Sequence, residues 1–236
     1  MNIQTRSLLF GLLLVAAVST PASAQNWEVG LDFMLGFPQG EFKQNVDAVG
    51  FGLDLTGLYL FSNAPFAAGL DLGVMTYGNT SRREPFNPNI PEVNIRVETS
   101  NNIAFGHFLF RIQPRGVPFR PYVDGLFGFN YLYTESKVQD EQTFEDIAGS
   151  NNFDDISVSG GIAAGAMIRL VDTTDPDSGN RISVFLNLRT RYLLGGDAEY
   201  LKEGSMRREN GNLVYDVERS RTDILTTQVG VVVQIF

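Results

Sequence analysis

An alternation of apolar residues with small or charged residues begins at Trp27, recurs towards the C-terminus, and constrains the fold of this chain most strongly. From residue 27 to residue 37 every odd position is Trp, Val, Leu or Phe, and the even positions are Glu, Gly, Asp or Met. A period of two residues places successive side chains on opposite faces of a β-strand. The pattern therefore predicts strands that each have one apolar face.

Eight segments follow this pattern, and the links between them alternate in length. The predicted strands span 27–37, 49–61, 66–77, 93–113, 119–134, 154–170, 181–194 and 213–235. In the last one, Leu213, Tyr215 and Val217 continue the apolar face of the C-terminal run. The long links are 38–48, 78–92, 135–153 and 195–212, and the short links are 62–65, 114–118 and 171–180. This asymmetry predicts an all-β fold, an eight-stranded antiparallel up-and-down transmembrane β-barrel with both termini on the side of the short turns.

The first 24 residues have the features of a cleaved secretory signal. Arg6 precedes an apolar run at 8–18, and Ala22-Ser23-Ala24 provides a small-residue cleavage site. The apolar run is too short to span a bilayer as a helix. We therefore expect a signal peptide at 1–24 and one barrel domain at 25–236.

The alternation alone does not distinguish a soluble barrel from a membrane barrel, but the composition does. Only 19% of the residues are charged, against about 25% in a typical soluble domain. The polar faces hold mainly Gly, Ala, Ser and single charges, and aromatic residues gather near the strand ends. These features favour a barrel in the bacterial outer membrane, with periplasmic termini, extracellular long loops and an apolar face against lipid and lipopolysaccharide. A lipocalin-like soluble barrel is the alternative.

Charged residues fall on the faces that would line the lumen. An eight-stranded barrel is only wide enough for side chains to fill its interior, and charges removed from water must pair. We expect a network of ion pairs that plugs the lumen. Its predicted members are Asp32, Asp54, Asp71, Asp124, Arg120, Arg169, Arg189 and Arg191. The alternative is that these residues gate a narrow pore for small solutes or an apolar ligand.

The first strand and the closing run 229–236 carry a family resemblance. Together with the signal segment and the eight alternating segments, they resemble the small outer-membrane β-barrels of the outer membrane protein A and X type. The resemblance implies that Phe236, a terminal aromatic residue, serves the barrel assembly machinery as a C-terminal assembly signal. It also implies an integral membrane protein without a cofactor.

The residue counts exclude several kinds of chemistry. The chain has no Cys and one His, so thiolate clusters and sites with several histidines are absent. A net charge of −9 argues against nucleic acid as a partner. His107 is the one candidate base for a lipid A-modifying enzyme, but no Ser lies two positions along on its face. We expect no catalytic residues and no metal site.

The expected role is structural, or one of interaction at the cell surface. Strands that outgrow the membrane next to long loops expose sheet edges to which a partner strand can be added. A surface ligand held through the long loops is therefore the expected partner. The alternatives, a narrow channel and a lipid A-modifying enzyme, stay open.

Overall fold

The computed structural model describes residues 26–62, 64–87, 90–140, 146–174, 181–209 and 212–235. The predicted signal segment 1–24 and Phe236 lie outside the described residues. The elements are β1 (Trp27–Pro38), α1 (Gly40–Asn45), β2 (Gly50–Leu60), β3 (Phe66–Asn87), β4 (Ile90–Ile112), β5 (Phe119–Asp140), β6 (Asp146–Thr174), β7 (Arg181–Gly195), β8 (Asp197–Glu209), β9 (Asn212–Arg221) and β10 (Ile224–Ile235).

Eight of these strands form a closed antiparallel barrel, in the order β1-β10-β7-β6-β5-β4-β3-β2. The first and last strands complete the ring, with Trp27 opposite Ile235 and Pro38 opposite Ile224. The other barrel pairs join strands that follow one another in the sequence, except β7 and β10. The hairpin of β8 and β9 lies between these two strands in the sequence. The predicted fold class is confirmed.

The prediction for residues 213–217 is wrong, because Leu213, Tyr215 and Val217 do not continue the last barrel strand. They belong to β9, which pairs with β8 in a separate two-stranded sheet. Asp223 lies between β9 and β10 in the sequence. Its Oδ1 accepts a hydrogen bond from the backbone N of Gly195, at the end of β7, at 3.0 Å. A side chain thus occupies the position where ladder pairing would otherwise continue.

Much of the chain assigned to long loops is also strand. The hairpin of β3 and β4 continues its pairing to Asn87 opposite Ile90, and β5 pairs with β6 up to Gln139 opposite Asp146. The barrel strands β3 to β6 therefore extend well beyond the ring that β1, β2, β7 and β10 complete.

The barrel exposes its apolar faces and buries its polar ones. On β1, Val29 and Leu31 are 48% and 57% exposed, whereas Glu28 and Asp32 are 1% exposed. Aromatic contacts mark both ends of this apolar surface. Trp27 and Tyr59 pack edge to face with ring centroids 5.5 Å apart at one end, and Tyr131 and Tyr133 stack at 5.3 Å towards the other. This arrangement is the reverse of a soluble barrel, in which the core is apolar and the outer surface is polar.

Candidate functional site: the barrel lumen

The lumen contains a central group of ion pairs contributed by β2, β3, β5 and β7. Asp71 accepts hydrogen bonds from Nη1 of Arg189 at 2.6 Å and from Nη1 of Arg191 at 2.5 Å. Asp54 faces the same two guanidinium groups at the longer distances of 3.4 and 3.2 Å. Nη2 of Arg189 also lies 3.1 Å from Oδ2 of Asp124. All five side chains are fully buried, so each charge relies on the others for the stabilisation that water would provide.

A second group fills the end of the lumen near the short turns, around Arg111. Its guanidinium makes a bidentate pair with Asp124, at 2.7 and 3.0 Å, and a further bond to Oε1 of Glu28 at 2.5 Å. Gln113 and Gln234 donate to the other oxygen of Glu28. Asp124 thus links Arg111 to Arg189, and the two groups form one continuous network along the barrel axis.

The structure brings five of the predicted lumen residues together in this network: Asp54, Asp71, Asp124, Arg189 and Arg191. Asp32 lies beside it, since its Oδ1 accepts a hydrogen bond from Asn187 at 2.8 Å. Its Oδ2 has no hydrogen-bond partner within the described part of the chain. Arg120 is buried, but it bonds to the side chain of Gln234 and to the carbonyl of Val117 rather than to a carboxylate.

Arg169 does not join the network. It lies at the short-turn end of β6, where it donates to Asp172 at 2.9 Å. Arg181 bonds to the same carboxylate at 2.8 and 2.5 Å, and this hydrogen bonding holds the pKa of Asp172 well below its usual range. The three residues join the ends of β6 and β7 at the short-turn end of the barrel.

Arg111 is the central residue that the sequence reasoning missed. It lies on the inward face of β4 with His107 and Leu109, and these three side chains are buried, as is Gln113 just beyond the end of the strand. The alternation of β4 is less regular in sequence than that of the other strands. Arg111 could have been identified because it is separated from His107 and from Gln113 by an even number of positions, which places all three side chains on the same face of a strand.

His107 has a hydroxyl partner on another strand, Ser159 of β6, although no Ser lies two positions along on its own strand. Its Nε2 lies 2.6 Å from Oγ of Ser159, and its Nδ1 lies 3.8 Å from Oδ1 of Asp71. Ser159 donates its single hydrogen to Oδ1 of Asn130 at 2.8 Å, so the imidazole donates from Nε2 in this arrangement. A serine nucleophile needs the opposite, a hydroxyl that gives its proton to the imidazole. The side chains of His107, Ser159, Asp71 and Asn130 are at most 2% exposed.

An apolar layer and the helix α1, which we call the lid, lie beyond the ion pairs. The layer lies on the inward faces near the end opposite the short turns, and it is formed by Met34, Met75, Ile103, Phe105, Leu193 and Ile224. Phe42 of α1 is fully buried above it, with its ring centroid 5.5 Å from that of Tyr77 and 5.1 Å from that of Tyr200. Tyr200 belongs to β8, so these contacts join the lid to the hairpin of β8 and β9.

Polar contacts fix this lid in place. Nδ2 of Asn45 donates to the hydroxyl of Tyr200 at 2.9 Å, and that hydroxyl lies 2.8 Å from Oγ of Ser220. The backbone N of Gln39 donates to the carbonyl of Asp223 at 2.8 Å. Among the described residues, no three His, Cys, Asp or Glu side chains are placed to hold a metal ion. No described helix is long and apolar enough to cross a membrane.

No protein-family model matches this sequence, and no curated protein matches it. Its structure is similar to those of several solved proteins. Neisserial surface protein A shares 12% identity, with a TM-score of 0.41 over 91% of this chain and 99% of that one. A major outer membrane protein from Thermus thermophilus shares 11% identity, with a TM-score of 0.34 over 89% and 99%. Ail, the attachment invasion locus protein of Yersinia pestis, in complex with the heparin analogue sucrose octasulfate, shares 14%, with a TM-score of 0.32 over 90% and 97%.

Proposed function

We propose that this chain is an integral protein of the bacterial outer membrane, where it has a structural or surface-interaction role and does not act as an enzyme. One observation carries the proposal, namely that the barrel exposes its apolar faces and buries its charges. Such an apolar outer surface is stable in contact with lipid and lipopolysaccharide. The ion pairs at the centre of the lumen and the contacts of Phe42 at one end support a sealed lumen rather than a channel.

The orientation in the membrane is part of this proposal. The turns near 61–65 and 113–118 are short and lie at the end where β1 begins and β10 finishes. In outer-membrane barrels such turns are periplasmic. The lid and the extended ends of β3 to β6 then face the cell exterior. The barrel assembly machinery would meet the chain from the periplasm, where Phe236 supplies the assembly signal.

The surface role rests on the sheet formed by the extended ends of β3, β4, β5 and β6. Pairing of β2 with β3 ends at Phe51 opposite Thr76, while β3 continues to Asn87. On the other side, pairing of β6 with β7 ends at Ser159 opposite Gly195, and the backbone N of Gly196 then bonds to the carbonyl of Val158. We propose that the β3 side of this sheet accepts a strand of a surface partner by backbone pairing.

The absence of Cys allows a direct test of location and orientation. Lys43→Cys places a thiol on an exposed position of α1, and Val117→Cys places a matched thiol in a short turn where Val117 is 41% exposed. We expect a membrane-impermeant thiol reagent to label Lys43→Cys on intact cells and to label Val117→Cys only after lysis. The reverse pattern would contradict the orientation.

Two further measurements test the membrane location and the sealed lumen. The protein should be found in the outer-membrane fraction and should show heat-modifiable migration on a gel. Its absence from that fraction would overturn the proposal. In planar bilayers the conductance should be close to zero and should not rise in Arg189→Gln. A steady conductance that changes in this variant would favour the alternative, a narrow pore.

A further inference from the structure

A groove lies in the outer wall of the barrel, on the apolar surface that contacts lipid if the proposed function holds. It has a volume of about 300 Å³ and is lined by residues of five neighbouring strands, β1 to β5. Its apolar sides are formed by Phe33, Phe51, Leu53 and Val74, which are all about half exposed. It is located towards the lid end of the barrel, so we call it the lid-end groove.

The base of the lid-end groove exists because β2 and β3 approach closely at Gly52. A Cβ atom at this position would lie 1.9 Å from the carbonyl oxygen of Val74, so only glycine fits. Gly52 and the inward-facing Met75 both line the groove. The floor is therefore set by the backbone of β2 and β3.

One end of the lid-end groove is polar. Thr76, Asn102 and Tyr133 line it there, and they occupy one row across three strands, since Thr76 lies opposite Asn102 and Asn102 opposite Tyr133. Oγ1 of Thr76 donates to Oδ1 of Asn102 at 2.7 Å, and Nδ2 of Asn102 donates to the carbonyl of Ser100 at 3.3 Å. The Thr76 oxygen keeps acceptor capacity and the Asn102 amide keeps a second hydrogen.

The polarity of the groove changes in the same direction as that of a bilayer, from an apolar centre to a polar interface. The row that contains Leu53 and Val74 is apolar, and the next row towards the lid contains Phe51, Thr76 and Asn102. An acyl chain matches the apolar part, and the carbonyl or hydroxyl groups at its head match the polar row. A volume of about 300 Å³ is at the small end for a binding site, and this size suits a segment of one chain.

We propose that the lid-end groove binds one acyl chain of a lipid A molecule, with a chain hydroxyl or ester carbonyl hydrogen-bonded to Thr76 and Asn102. The proposal rests on the proposed function, because with the lid outside the cell the groove opens to the outer leaflet, which lipopolysaccharide fills. A hydroxyl on the acyl chain can donate to Thr76, and an ester carbonyl can accept from Asn102.

The test uses the full-length barrel in nanodiscs that contain equal amounts of lipid A and phosphatidylethanolamine. The barrel is released from the nanodiscs, and the lipids that stay bound to it are counted by native mass spectrometry. Val74→Trp fills the groove with a bulky side chain. Val123→Trp is the matched control, since Val123 is 55% exposed against 51% for Val74 and does not line the groove. Thr76→Val removes the hydroxyl of the polar end while keeping the shape.

We expect the native barrel and Val123→Trp to retain one lipid A, and Val74→Trp and Thr76→Val to retain roughly tenfold less. Retention of as much lipid A by Val74→Trp or by Thr76→Val as by the native barrel would overturn the proposal, and so would retention of as much phosphatidylethanolamine as lipid A by the native barrel. Heat-modifiable migration of each variant establishes that it folds, and if Val74→Trp misfolds, Thr76→Val alone decides. Absence of the native chain from the outer membrane would instead count against the proposed function.

Discussion

Oγ of Ser159 lies 2.6 Å from Nε2 of His107, although 52 positions separate the two residues in the chain. Gly128 lies between them in the sheet, opposite His107 on one side and opposite Ser159 on the other. A Cβ atom at Gly128 would lie 1.9 Å from the carbonyl oxygen of Gly106. The imidazole and the hydroxyl therefore meet across a strand that carries no side chain at this point.

Ser159→Ala should destabilise the barrel. The substitution leaves Nε2 of His107 and Oδ1 of Asn130 without their shared partner in a buried site. An unsatisfied buried group costs about 1–3 kcal/mol, and we expect a loss of that size in the free energy of unfolding, measured by urea titration in lipid vesicles. Thr227→Ala, at an exposed position of β10, is the control and should change little. Equal stability of the two variants would contradict this role for Ser159.

Ser159 should also resist a fluorophosphonate that labels activated serines. It is 2% exposed and its hydrogen is directed at Asn130 rather than at the imidazole. We expect mass spectrometry of the folded, treated protein to find no adduct on this residue. A stoichiometric adduct at Ser159 that disappears in His107→Ala would instead establish a catalytic pair.

The faces of the strands could be predicted from the sequence, but the partners of the lumen charges could not. Alternation places Asp54, Asp71, Arg189 and Arg191 on inward faces, because inverting any one strand would expose its apolar residues to the lumen. The pairing of Arg189 with Asp71 joins residues 118 positions apart and depends on the register of strands that are not neighbours. A single sequence carries little information about such a register.

Local irregularities explain the remaining differences between sequence and structure. The register of β6 and β7 shifts between Arg169 and Val171, and Leu170 and Val171 are both exposed. Arg169 precedes this bulge and keeps the inward phase of Ala163 and Met167, opposite Phe185, but it lies at the short-turn end of the lumen, where Asp172 is its partner. Helix α1 was not predicted because its burial depends on Tyr77 and Tyr200, which reach Phe42 only once the barrel has closed.

The two carboxylates that share Arg189 and Arg191 should differ in their importance. Asp71 lies 2.6 and 2.5 Å from these guanidinium groups, against 3.4 and 3.2 Å for Asp54. Removing one partner of a buried ion pair costs about 3–5 kcal/mol. We expect Asp71→Asn to lose a free energy of unfolding in this range and Asp54→Asn to lose clearly less, by urea titration in vesicles. A larger loss for Asp54→Asn would mean that Asp54 is the main counter-ion.

Phe42→Ala should loosen the lid without unfolding the barrel. The fully buried ring packs edge to face against Tyr77 and Tyr200, and truncating a buried Phe costs about 3–5 kcal/mol. Since this energy joins α1 to the hairpin, we expect faster hydrogen exchange in 40–45 and 197–209 and unchanged exchange in β1 and β10. Lys43→Ala, at an exposed position of the same helix, is the control. Uniform acceleration throughout the barrel would show that the lid is not a separate unit.

The effect of a charged side chain on the outer face should distinguish a membrane barrel from a soluble one. Leu31 is 57% exposed near the middle of β1. At the bilayer midplane an Arg costs about 2–4 kcal/mol, falling to about 0–1 kcal/mol near the interface. Leu31→Arg should therefore reduce the folding free energy in vesicles by that larger amount, and Phe61→Arg, beyond the end of β2, should reduce it much less. A soluble barrel would tolerate Leu31→Arg, because an Arg on an exposed position would gain water. A neutral effect of Leu31→Arg in vesicles would therefore mean that this face does not meet lipid.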